Sequence, residues 1–132
     1  MERILLVDDE EVIRFAYKKV LSSPSVTVDT APSFSKALHL LQNKSYEAVI
    51  ADLRLMPGSV LKEGLEVIRQ AKRMQSFCKV VVVTGAGEEG TQEEVFQLGA
   101  DYYLEKPANP EKVKAVLQSL GLTLEDGPAV LP

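Results

Sequence analysis

A chain of 132 residues with 45% apolar and 26% charged content is sized for one soluble domain with an ordinary core and leaves no room for a second. Its apolar runs fall far short of the ~20 residues a membrane span needs, and Met1-Glu2-Arg3 does not open a signal peptide, so the expected location is the cytoplasm. A net charge of −4 argues against a basic nucleic-acid surface on this chain, and a single cysteine, Cys78, excludes an internal disulfide or a multi-cysteine zinc site.

Short apolar runs alternate with amphipathic stretches, a βα pattern repeated five times. The first strand is expected over roughly Arg3 to Asp8. Val12, Ile13, Phe15, Ala16, Val20 and Leu21 then recur at helical spacing, and Ser22-Ser23-Pro24 ends that helix. Val26, Val28 and Thr30 alternate as a half-buried second strand. Ser33 is placed to cap a helix whose apolar stripe is Phe34, Ala37, Leu38 and Leu41. Ala48-Val49-Ile50-Ala51 forms a third strand ending at Asp52, followed by a long loop containing Met56-Pro57-Gly58. A helix from about Glu63 carries Leu65 and Ile68 on its buried face. Cys78 heads the run Val80-Val81-Val82-Val83 and reads as a buried thiol. Thr91 and Glu94 form a Thr-x-x-Glu capping box for a fourth helix, which Gly99 ends. After Tyr102-Tyr103-Leu104-Glu105, Asn109 as cap and Pro110 at the first helical position open the last helix. Residues 1–121 make the expected domain, and 122–132, with Gly127-Pro128, an expected tail or linker.

Strands alternating with crossover helices require a parallel sheet covered on both faces, and ligands of such sheets bind at the carboxyl ends of the strands. Asp8, Asp9, Asp52, Thr84 and Lys106 all fall at those ends. Three carboxylates brought together repel unless a cation compensates, and a hard divalent ion with oxygen ligands is the simplest remedy. Asp8 and Asp9 are the expected anchors. Asp52, alone on the middle strand, is the candidate nucleophile toward phosphorus. With Asp8, Asp9 and Asp52 contributing −3, Lys106 +1 and Mg²⁺ +2, the resting site sums to zero. The competing bland reading is that polar residues merely punctuate strand ends as turn formers.

Leu5-Leu6-Val7-Asp8-Asp9-Glu10, Val49-Ile50-Ala51-Asp52 with Met56-Pro57-Gly58 behind it, Val82-Val83-Thr84-Gly85 and Tyr103-Leu104-Glu105-Lys106-Pro107 together resemble the receiver domain of two-component response regulators. The resemblance spans residues 3 to about 120. It implies a flavodoxin-like (βα)5 doubly wound sheet in strand order 2-1-3-4-5. It implies Asp52 as phosphoacceptor, Mg²⁺ or Mn²⁺ held by Asp8, Asp9, Asp52 and the main-chain carbonyl of Arg54, and Thr84 and Lys106 as phosphate-sensing residues. Tyr103 takes the position of the switch aromatic, and the Lys106-Pro107 bond is expected to be cis. Implied partners are a sensor histidine kinase or phosphotransfer protein and a second copy through the face formed by the fourth helix, fifth strand and fifth helix, with Val95, Phe96 and Tyr103 as contributors. Turnover of a substrate is not expected beyond self-phosphorylation from small donors and self-dephosphorylation.

The chain departs from the family pattern in three places. Ser59 to Glu63 lengthen the loop after the acceptor, leaving Gly64 to serve as its glycine; Ala108 replaces the Phe that commonly follows Lys-Pro; and Arg54 and Ala86 stand where dephosphorylation is tuned, implying a long-lived phosphate. Gly85-Ala86-Gly87-Glu88-Glu89-Gly90 matches a dinucleotide fingerprint letter for letter, but follows the wrong strand and carries acidic residues that would repel a pyrophosphate. A haloacid-dehalogenase-type phosphatase needs Asp-x-Asp, whereas Asp52-Leu53-Arg54 offers a cation there. His39 lies off the apolar stripe of its helix and reads as a solvated surface residue. A receiver-like module that signals without phosphorylation is the remaining alternative. No helix-turn-helix, ATPase or kinase segment follows residue 120, so the output is not legible.

Overall fold

Apolar runs too short for buried helices and bounded by turn-forming residues become strands covered on both faces. The structure, a computed structural model, describes residues 2–53, 61–85 and 91–124, with the backbone alone at 61–63. Arg54, the Met56-Pro57-Gly58 segment, Ala86 and residues 125–132 lie outside the described residues, as does most of the Gly-rich run after Gly85. The elements are β1 (Glu2–Val7), α1 (Glu11–Leu21), β2 (Val26–Ala31), α2 (Phe34–Asn43), β3 (Ala48–Ala51), α3 (Leu61–Met74), β4 (Lys79–Thr84), α4 (Thr91–Gln97), β5 (Tyr102–Glu105) and α5 (Pro110–Ser119). All four strand pairings are parallel, in the order β2-β1-β3-β4-β5.

Alternation along each strand divides the core in two. Leu5, Val7, Val49, Ala51, Val80 and Val82 face α2, α3 and α4, meeting Ala37, Leu40, Ile68 and Val95. Ile4, Leu6, Val28, Ile50, Val81 and Val83 face α1 and α5, meeting Tyr17, Leu21, Val113 and Leu117. Ser33 and Asn109 cap α2 and α5 as expected, their side chains accepting from Lys36 N at 3.2 Å and Lys112 N at 2.8 Å. Cys78 is buried, and burial pushes its thiol up to about 12. His39 is exposed. Among the described residues no helix is long and apolar enough to cross a membrane.

Two helical faces differ from expectation. Val12 and Phe15, assigned to the α1 stripe, are 76% and 69% exposed, whereas Leu21 is buried as expected and Tyr17, outside that stripe, turns to the sheet. On α2 Ala37 and Leu41 are buried as expected, but the third buried residue is Leu40, while Leu38 is only partly covered. In both cases apolar residues one or two positions apart compete for one stripe, and a rotation of the helix decides between them. Helix α3 begins at Leu61, two residues before the expected start. At the far end, Leu122 and Leu124 are buried in the α1/α5 core, and Thr123 N donates to the Glu2 carboxylate.

Candidate functional site

Strand register sets the site. Val7 pairs with Ala51 and Ala51 with Val82, so the next residues, Asp8 and Asp52, leave the sheet side by side with Thr84 one step further along β4. Thr84 pairs with Glu105, and Lys106 N donates to Thr84 O at 2.8 Å as β5 ends. The backbone extends the ladder past the strands: Asp8 N donates to Ala31 O at 3.1 Å and Asp52 N to Val7 O at 3.0 Å.

Side chains converge on Lys106. Its Nζ donates to Asp52 Oδ2 at 2.8 Å and to Asp8 Oδ2 at 3.1 Å, and lies 3.6 Å from Glu10 Oε1. Asp8 and Asp52 are almost fully buried. Burial alone would lower the Lys106 ammonium's pKa, but hydrogen bonds and charge from Asp52 and Asp8 outweigh it and raise the pKa above the ordinary lysine value. A carboxylate oxygen from each of Asp8, Asp9 and Glu10 lies within 4.8 Å of the others. Asp52 is joined to this group through Lys106. The five residues singled out from the sequence therefore stand at one sheet edge, and Glu10 joins them. The Arg54 carbonyl falls outside the described residues.

Thr84 Oγ1 is buried and has no hydrogen-bond partner among the described residues. A buried hydroxyl left unpaired costs stability, and a group able to accept from it would recover that cost. Thr84→Val is therefore expected to raise the resting protein's stability by about 1 kcal/mol, read as a higher urea midpoint; a lower midpoint would show that the hydroxyl is satisfied.

Three further residues shape the site without having been singled out. Glu10 N donates to Asp8 Oδ1 at 2.9 Å, turning the chain at the start of α1. Arg14 Nη1 donates to Asp8 O at 2.9 Å. The Tyr17 hydroxyl donates to Ala108 O, tying α1 to the loop after the cis Lys106-Pro107 bond. Burial, aided by the Asp8 charge and opposed by Lys106, pushes the Tyr17 phenol up to about 12. Glu10 was legible as the third acid of Asp8-Asp9-Glu10, whereas Arg14 and Tyr17 act on main-chain carbonyls, for which sequence carries no signal. A cavity of about 470 Å³ opens beside Asp52 and Lys106, walled by Ile13, Ala16, Tyr17 and Ala108.

Of the residues expected on the switching face, Tyr103 is partly buried against the α2/α3/α4 core, Val95 is fully buried and Phe96 is 42% exposed. Close approach governs the chain just past the acceptor: a Cβ at Gly64 would lie 2.3 Å from Leu53 Cα.

The chain is 35% identical over 112 residues to the alginate biosynthesis transcriptional regulatory protein AlgB of Pseudomonas putida, covering 85% of this chain and 24% of that protein. It is 31% identical over 125 residues to the transcriptional regulatory protein ResD of Bacillus subtilis, covering 92% of this chain and 50% of ResD. It thus spans about a quarter of the length of AlgB and half that of ResD. A CheY-like receiver domain protein from Methanospirillum hungatei superposes with a TM-score of 0.82 at 26% identity, over 91% of this chain and 93% of that one. A response regulator from Burkholderia pseudomallei, solved with a phosphorylated aspartic acid, calcium ion and citrate, superposes with a TM-score of 0.76 at 28% identity, over 99% of this chain and 78% of that one. The sequence profile of the response regulator receiver domain matches residues 4–118, and the chain belongs to that family.

Proposed function

We propose that this domain accepts a phosphoryl group on Asp52 from a phosphohistidine donor, in a Mg²⁺-dependent step, and passes the change to its α4/β5/α5 face. The observation that carries the reading is Lys106 Nζ bonded at once to Asp52 and Asp8, residues 54 and 98 positions away in sequence, beside the unpartnered hydroxyl of Thr84. A structural ion pair needs one acid, whereas this edge gathers Asp8, Glu10 and Asp52 around one lysine, with Asp9 clustered beside Asp8 and Glu10. That excess negative charge suits a divalent cation with oxygen ligands.

Asp8 and Asp9 are the residues that would hold the ion, with Asp52 and the Arg54 carbonyl completing the set. When bound, it supplies positive charge against the phosphoryl oxygens. An Asp52 carboxylate oxygen bonds to phosphorus as the donor's N–P bond breaks, and the electron pair of that bond stays on the imidazole nitrogen. Lys106 is already held at Asp52 and exchanges its carboxylate contact for a phosphoryl oxygen. Thr84 then finds the acceptor it lacks at rest. Movement of Thr84 would free space for Tyr103, and the exposure of Phe96 and Tyr102 supports a response read on the α4/β5 surface, where a second copy would bind. The phosphorylated aspartate of the Burkholderia pseudomallei regulator is consistent with this chemistry.

The test is the intact mass after incubation with acetyl phosphate. One added phosphate is expected with Mg²⁺ present and none in excess EDTA. An unchanged mass with Mg²⁺ would favour a module that signals without phosphorylation.

A further inference from the structure

Asp9 is held by its flanking peptides. Asp8 O belongs to the peptide before it and accepts from Arg14 Nη1 at 2.9 Å; Glu10 N belongs to the peptide after it and donates to Asp8 Oδ1 at 2.9 Å. Both peptide planes next to Asp9 are thereby pinned, one by a turn within the acidic segment and one from the first turn of α1. Arg14 is itself anchored on the same segment, since its backbone N donates to Glu10 O at 3.1 Å.

Resting on the proposed function, we infer that Arg14 is a positioning residue for the divalent ion: its bond to Asp8 O sets the direction in which the Asp8 and Asp9 carboxylates leave the chain. Charge and geometry act with opposite signs here. Arg14 places a cation next to an acidic cluster, so electrostatics alone predicts that its removal tightens Mg²⁺ binding. Loss of the carbonyl bond frees the Asp8–Asp9 peptide to rotate, and the carboxylates must then be ordered by the ion itself, which weakens binding. Groups that orient metal ligands typically account for ten- to a hundredfold in affinity.

The experiment is calorimetric titration of the full chain with MgCl₂, comparing wild type, Arg14→Met and Arg14→Lys. Arg14→Met keeps the apolar stem and removes both donor and charge; Arg14→Lys keeps the charge and one donor, though without the planar fork. The expected result is a dissociation constant about tenfold higher for Arg14→Met, with Arg14→Lys between it and wild type. Urea unfolding without metal shows how much of each variant is folded, and Arg14→Lys carries the comparison if Arg14→Met does not fold. Affinity equal to or tighter than wild type in a folded variant overturns the positioning role while leaving the receiver reading intact. Absence of Mg²⁺ binding by the wild type overturns both.

Discussion

Asp52→Asn is expected to gain no phosphate from acetyl phosphate and Mg²⁺ under conditions in which the wild type gains one. An amide oxygen has nearly the size of a carboxylate oxygen and too little nucleophilicity to form the acyl phosphate, so the loss should be complete rather than partial. The substitution leaves much of the site standing. Lys106 keeps its 3.1 Å bond to Asp8, and Asp52 N keeps its bond to Val7 O, so the strand end does not depend on the carboxylate. Folding is therefore expected to survive, which makes the mass change a report on chemistry. Labelling equal to wild type would move the acceptor elsewhere, with Asp8 and Asp9 the next to be tested.

Gly64→Ala should destabilise the domain by about 3 kcal/mol, although the same change inside an exposed helix would stabilise by about 1 kcal/mol. Gly64 lies in α3, where alanine is the better helix former, and a propensity argument predicts a gain. The helix runs so close to the end of β3 that an added methyl would stand 2.3 Å from both Leu53 Cα and Leu53 O. Backbone cannot yield as a flexible side chain can, so α3 or the segment after Asp52 has to shift. Urea unfolding distinguishes the two: a midpoint below wild type follows from the close approach, and one above it would mean that the helix has room to move. Because Leu53 adjoins Asp52, the variant should also accept phosphate more slowly than its folded fraction accounts for.

Reading the chain alone located the five strands because each is an apolar run stopped by a polar residue, and the same stops placed Asp8, Asp52, Thr84 and Lys106 at one edge. Helix caps were legible wherever a side chain makes the bond, as at Ser33 and Asn109. Helix rotation was only partly so: Leu21 was placed on the buried face, but Val12 and Phe15 are as apolar as the residues that face the sheet, and only packing against β-strands already in place selects Tyr17 over them. Strand order was likewise not written in the periodicity, since a right-handed crossover sets the hand of a connection and not which side of the sheet it extends. Its expected value came from family resemblance, and the observed order agrees. Arg14 and Tyr17 escaped notice because each serves the site through a carbonyl of another residue, a role no side-chain pattern announces.

The pair Asp8–Lys106 joins residues 98 positions apart. During synthesis Asp8 and Asp52 emerge long before Lys106, the one lysine paired with them among the described residues. A chain ending before β5 would carry Asp8, Asp9 and Asp52 at the rim of an incomplete sheet, with a bare edge at β4 and mutual repulsion where the site should be. Under the proposed function, competence to accept phosphate is thus acquired together with the closing strand and Lys106, and a receiver truncated before β5 is expected to take up none.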